Sequence, residues 1–174
     1  MAASRAGSRL RLLPGALLVS CGALLIVEND GFRSLEARCA RPMVALATGG
    51  MSGASRDVVF FGLGTDHSAG LRITSGCTTA CLLVPFLLVM ATIVAKSTIP
   101  VIRVLVVTAA GALMLLAVNI LRLTVIAWAT SVWGLDHGFE ISHVLIGSIL
   151  ALTGFAATLV ISVRLLARGG NAAR

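Results

Sequence analysis

Four apolar runs, at residues 12–27, 78–95, 104–129 and 141–163, are separated by short polar breaks and one long polar segment. An α-helix crosses the roughly 30 Å hydrocarbon core of a bilayer in about 20 residues. The pattern predicts an all-α integral membrane protein with about four transmembrane helices, at 12–27, 77–95, 102–130 and 141–164. Residues 1–174 then form a single membrane domain, with 28–75 as its one polar insertion. Within that insertion, residues 32–46 predict a short helix lying near the membrane surface, bent or broken at Pro42. Residues 49–53, rich in glycine, predict a flexible break. Two β-prone runs, 58–61 and 71–74, flank a Gly/Asp/Ser-rich turn at 62–70 and predict a small hairpin. Pro85 removes the hydrogen bond to the Cys81 carbonyl, which predicts a kink near the start of the second apolar helix.

The composition agrees with a membrane protein. Only 12% of the 174 residues are charged and 57% are hydrophobic, whereas a soluble domain carries roughly a quarter charged residues. A net charge of +7 would suit a nucleic-acid partner if the cations clustered. They sit instead at the ends of the apolar runs, where the positive-inside rule places them. No nucleic acid is expected, and the lipid bilayer is.

On a four-span path Arg5, Arg9, Arg11, Lys96, Arg103, Arg164, Arg168 and Arg174 share one side. The other side holds Arg33, Arg38, Arg41, Arg56 and Arg72, offset by Glu28, Asp30, Glu36, Asp57 and Asp66. It also holds a 131–140 loop with Asp136 and Glu140 and no cation. Both termini are therefore expected in the cytoplasm of a plasma-membrane protein, and 28–75 outside. The basic start and the 12–27 run have a signal-peptide shape. Glu28-Asn29-Asp30 follows them instead of a small-x-small site, so a retained helix is expected. Trp128 and Trp133 fall at the outer interface, where indoles are favoured.

One charge breaks the pattern. Arg122 stands inside the third apolar run with Asn119 one turn earlier on the same face. A charged side chain there costs about 2.5–3.5 kcal/mol on insertion scales, so an intramembrane arginine marks a candidate functional site. On this topology it lies in the outer half of the membrane, roughly 14 Å before Ser131 at 1.5 Å per residue. Cys77 opens the second helix and His143 the fourth, both on the same side. A thiol, an imidazole and a guanidinium from three spans thus converge. A helix N-terminus and a fixed cation favour a thiolate, and histidine exchanges protons near neutral pH. These are the parts of a cysteine acyl-transfer site.

Other residues carry blander expectations. Cys21 and Cys81 read as packing, and His67 and His137 as solvated loop residues, with His137 a rival for the base. Met90 and Met114 read as packing, and Gly147 and Gly154 as close helix contacts. Cys77 and Cys81 are spaced C-x3-C, unlike redox or zinc sites, so no metal or cofactor is expected. Four cysteines leave a disulfide such as Cys39 to another thiol open.

The order Cys77, Asn119-x-x-Arg122, His143-x-x-x-Gly147 resembles the exosortase/archaeosortase family of membrane transpeptidases, over about residues 70–150, in a small form. Many members have Cys-Ser-Gly at the nucleophile; here it is Cys77-Thr78-Thr79. The resemblance implies a Cys77 nucleophile supported by Arg122 and His143 and facing outward, with Asn119 beside them. It also implies a secreted protein substrate with a C-terminal sorting signal: a short motif, a transmembrane helix and a basic tail. Against this stands a non-enzymatic assembly or transport subunit that uses Arg122 as an ion or headgroup site.

Overall fold

The computed structural model describes residues 2–65, 68–139 and 141–171, without the side chains of residues 2–11, 136, 137 and 169–171. The chain runs α1 (Ala2–Val27), α2 (Asn29–Thr48), β1 (Met51–Ser55), β2 (Val58–Leu63), β3 (Ala69–Arg72), α3 (Ala80–Lys96), α4 (Val101–Gly134) and α5 (Gly147–Asn171). Two π-helical turns, Leu135–Phe139 and Ser142–Ile146, lie between α4 and α5.

The fold is mostly helical but not all-α, because the polar insertion builds a three-stranded antiparallel sheet in the order β1-β2-β3. The expected hairpin is the β2–β3 pair, in the register Val59↔Leu71 and Phe60↔Gly70. The extra strand comes from 51–55, part of the stretch expected to be a flexible break. Gly49 does end α2, in the left-handed conformation (φ 67°) with its N–H donated to the Ala45 carbonyl. From Met51 onward, however, the chain pairs with β2. Glycine weakens a strand only by entropy and lost packing. Here the neighbouring strand and α2 supply what the local sequence lacks.

The expected short helix at 32–46 is longer, and it continues through Pro42. The expected loop at 131–140 is largely helical: α4 runs on to Gly134 and a π-helical turn follows. The second apolar helix begins at Ala80, not at Cys77, and passes through Pro85.

Among the described residues, candidate membrane spans are fewer than expected. Two helical stretches, Val101–Gly134 and Ser142–Arg168, are long and apolar enough to cross a membrane. A third candidate is the pair Leu12–Val27 and Asn29–Thr48, bent by 84° at the break. Helix α3 has 17 residues, about 26 Å at 1.5 Å per residue, which falls short of a roughly 30 Å hydrocarbon core.

Two apolar cores share α4. One joins α1, α3, the first half of α4 and α5 through Leu18, Phe86, Met90, Val104, Leu115 and Leu166. Close approach is built in here: a Cβ on Gly111 would lie 2.3 Å from Phe86 Cζ. The other packs Ala37, Ala40 and Val44 of α2 and Val59, Phe61 and Leu71 of the sheet against Leu123, Ile126 and Ala127 of α4. Cys77 belongs to this second core. The insertion is therefore a cap packed on the second half of α4, and the cap carries the chain directly into Cys77.

Candidate active site

Cys77 sits in a turn between β3 and α3, closed by its own N–H bonding to the Thr74 carbonyl. Two anchors set this turn. Ile73 donates its N–H to the Asp57 carbonyl at 2.7 Å and receives Arg33 Nη1 on its own carbonyl at 3.2 Å. Asp57 in turn takes Arg72 Nε at 3.1 Å and lies 3.7 Å from Arg33 Nη1. The Arg72 hydrogen bond holds the Asp57 carboxyl below its usual range, and the Arg33 charge adds to the effect.

Cys77 is 4% exposed, and its thiol faces two groups. His143 Nε2 lies 2.9 Å from Sγ, and Arg122 Nη2 lies 3.7 Å from it. His143 is carried on the second π-helical turn, where the wider winding re-aims a side chain without ending the helix. Its imidazole stacks on Phe139, with centroids 5.0 Å apart and planes at 25°. Arg122 is 7% exposed, so it faces neighbouring elements and not the surroundings. Room for it is made by Gly147, where a Cβ would stand 3.0 Å from Arg122 Nε. Asn119, 1% exposed, donates Nδ2 to the Cys77 carbonyl at 3.0 Å. The four residues singled out from sequence thus meet, from three separate elements of the chain: the β3–α3 turn, α4 and the second π-helical turn.

The start of α3 differs from expectation. Its N-terminal groups do not face the thiol. The Thr79 N–H goes to Glu36 Oε1 at 2.7 Å, and the hydroxyls of Thr78 and Thr79 also donate to the Glu36 carboxylate. Asn119 Nδ2 shares itself between Glu36 Oε1 and Cys77, at 3.0 Å each. Glu36 is 1% exposed. From sequence it reads only as one of five acids balancing five arginines in the polar insertion. A signal was present: Glu36 shares a helix face with Ala37, Ala40 and Val44, while Arg38 and Arg41 lie on the other side. A lone acid on an apolar face needs buried donors.

The remaining thiols are separate. Cys21, Cys39 and Cys81 are free and exposed, so Cys39 forms no disulfide. Cys81 opens on a small cleft with Ile26, Asn29 and Pro85, away from His143. No group of three metal-ligating side chains occurs among the described residues. His67, Asp66 and Glu140, and the side chains of His137 and Asp136, lie outside the described residues.

The arrangement can move a proton between sulfur and imidazole, and it can place a fixed positive charge beside the sulfur. Those are the requirements for an activated nucleophile. No protein-family model matches the chain, and no curated protein or solved structure matches it.

Proposed function

We propose that this chain is a membrane cysteine peptidase or transpeptidase, similar to the exosortases and archaeosortases, that cleaves the C-terminal sorting signal of secreted proteins. The observation that carries the proposal is the single thiol held 2.9 Å from an imidazole and 3.7 Å from a buried guanidinium. In this reading α4 and α5 span the plasma membrane with α1 and the shorter α3 packed beside them, both termini are cytoplasmic, and the α2–sheet cap stands outside.

The chemistry follows from the geometry. His143 Nε2 takes the Cys77 proton, giving a thiolate–imidazolium pair. The thiolate attacks the carbonyl carbon of the scissile peptide bond, and Arg122 stabilises the negative charge on sulfur or on the carbonyl oxygen. As the C–N bond breaks, His143 returns its proton to the leaving amine, and a thioester joins substrate to Cys77. Water or an acceptor amine then attacks the thioester and regenerates the thiol. Positioned acid–base catalysis of this kind contributes about 10²–10⁴-fold.

The test is co-expression with secreted proteins encoded beside the gene that end in a short motif, one apolar helix and arginines. The tail should be removed by the wild type and by Cys81→Ala, and retained with Cys77→Ser and Arg122→Ala at equal protein levels. Tail removal by Cys77→Ser would sink the proposal. A silent Cys77→Ala beside a defective Arg122→Ala, read in growth or export, would favour the ion- or headgroup-binding subunit instead.

A further inference from the structure

Glu36 is a buried acid that the chemistry above does not use. It lies on α2, in the cap, yet its side-chain partners among the described residues all belong to the thiol's surroundings. Thr78 and Thr79 are the two residues after Cys77, and they give it two hydroxyls and a backbone N–H. Asn119 is one turn before Arg122 on α4 and donates one N–H of Nδ2 to Glu36. The other N–H of Nδ2 goes to the Cys77 carbonyl. One carboxylate therefore pins the residues on the C-terminal side of the nucleophile, and through Asn119 the nucleophile's own backbone. Arg33 pins the N-terminal side through Ile73.

A turn between a strand and a helix has no ladder to hold it, so these bonds set where Sγ lies. A short polar turn can close with other bonds as readily. Without Glu36, Thr78 and Thr79 lose a common acceptor and Asn119 loses one of its two partners. The bundle then holds the Cys77 backbone through the Asn119 amide, with the two residues that follow the nucleophile released.

We infer that Glu36 is a positioning residue, which locks the Cys77 turn against α4 so that thiol, imidazole and guanidinium meet only when the α2–sheet cap is docked. This rests on the reading of Cys77 and His143 as a working pair. It also makes the cap part of the active machinery and not merely a cover: lifting α2 from α4 would withdraw Glu36 and loosen the nucleophile together.

The experiment uses the whole chain in detergent, with Cys21, Cys39 and Cys81 replaced by serine so that Cys77 is the one thiol. The probe is iodoacetamide, whose reaction needs thiolate, and the readout is the alkylation rate of the Cys77 peptide by mass spectrometry. His143→Ala should slow alkylation about tenfold or more when Glu36 is present. In a Glu36→Ala background the same change should alter the rate less than about twofold, since contacting partners are coupled and separated ones are not. Glu36→Gln, which can still accept from Thr79 N–H and Asn119, should restore most of the His143 dependence.

A merely structural role would lower stability in both variants without removing that dependence. An undiminished effect of His143→Ala in the Glu36→Ala background overturns the inference alone. No effect of His143→Ala with Glu36 intact overturns the pair itself, and the inference with it. If Glu36→Ala does not fold, the same cycle is run on Thr78→Val/Thr79→Val, which removes the two hydroxyl donors and keeps the shape. An intermediate loss of His143 dependence there supports the inference, and full retention overturns it.

Discussion

Replacing Gly147 by alanine is expected to disconnect Arg122 from Cys77 while leaving the fold nearly as stable. The added Cβ would lie 3.0 Å from Arg122 Nε, 3.1 Å from the Ser142 carbonyl oxygen and 3.4 Å from Ile126 Cδ1. The Ser142 carbonyl accepts the N–H of Gly147 within a helical turn, so it is held. The guanidinium is on a long side chain, and it is the part that yields, by a few tenths of an ångström. Arg122 Nη2 already stands 3.7 Å from Sγ, and such a shift ends that contact. A hydrogen bond to a charged group is worth roughly 1.5–3 kcal/mol, and about 1.4 kcal/mol is tenfold. Alkylation of Cys77 should therefore slow about 10- to 100-fold. Stability changes little, because the flexible Arg122 side chain yields and keeps the overpacking cost near the lower end of roughly 1–3 kcal/mol, where the gain of about 1 kcal/mol in helix propensity over glycine offsets it.

Gly154→Ala is the matched comparison. Its Cβ would stand 2.4 Å and 2.9 Å from the two methyl carbons of Val118, a side chain stiff at χ1. Val118 cannot yield as Arg122 can, so the cost lies toward the upper end of about 1–3 kcal/mol and falls on α4–α5 packing away from the thiol. The assay pairs iodoacetamide alkylation of Cys77 with thermal unfolding in detergent. A wild-type alkylation rate in Gly147→Ala, or a melting temperature lowered as far as in Gly154→Ala, would refute this account.

Two further outcomes are expected. Arg122→Lys keeps the charge but loses the planar fork that both reaches Sγ and fits beside Gly147, so it should behave nearer to Arg122→Ala than to wild type in tail removal; wild-type processing would count against a geometric role. Asp57 gives a pH dependence with a definite sign. Its folded value is depressed by the Arg72 hydrogen bond and by Arg33, so its contribution is present above the unfolded value, about 3.9, and is lost as pH falls through the lower folded one. Amide hydrogen exchange in β2 and β3, corrected for intrinsic rates, should rise as the solution is acidified toward that range. Asp57→Asn should exchange faster at neutral pH and respond less to acid; an identical acid response in the variant would remove Asp57 as the cause.

Much of the chain is decided by its own sequence, because its signals are local and strong. Runs of apolar residues near bilayer length predict long apolar helices, and α4 and α5 are such helices. Arg122 announces itself by the cost of a charge among hydrocarbon side chains, and Asn119 by its place one turn away. Topology alone then brings Cys77 and His143 to the same end of the bundle. What only the tertiary structure decided depends on partners distant in the chain. The residues at 51–55 are a poor strand by composition and become one because β2 and α2 lie alongside. The 131–140 segment reads as a loop, but its residues pack on the end of α4: a Cβ on Gly138 would stand 2.5 Å from the Ala129 carbonyl oxygen. Glu36 looks like one more solvated acid until Thr78, Thr79 and Asn119 close on it from 42, 43 and 83 residues away. A buried carboxylate is tolerable only where donors converge, and convergence over such separations is a property of the fold and not of any stretch of sequence.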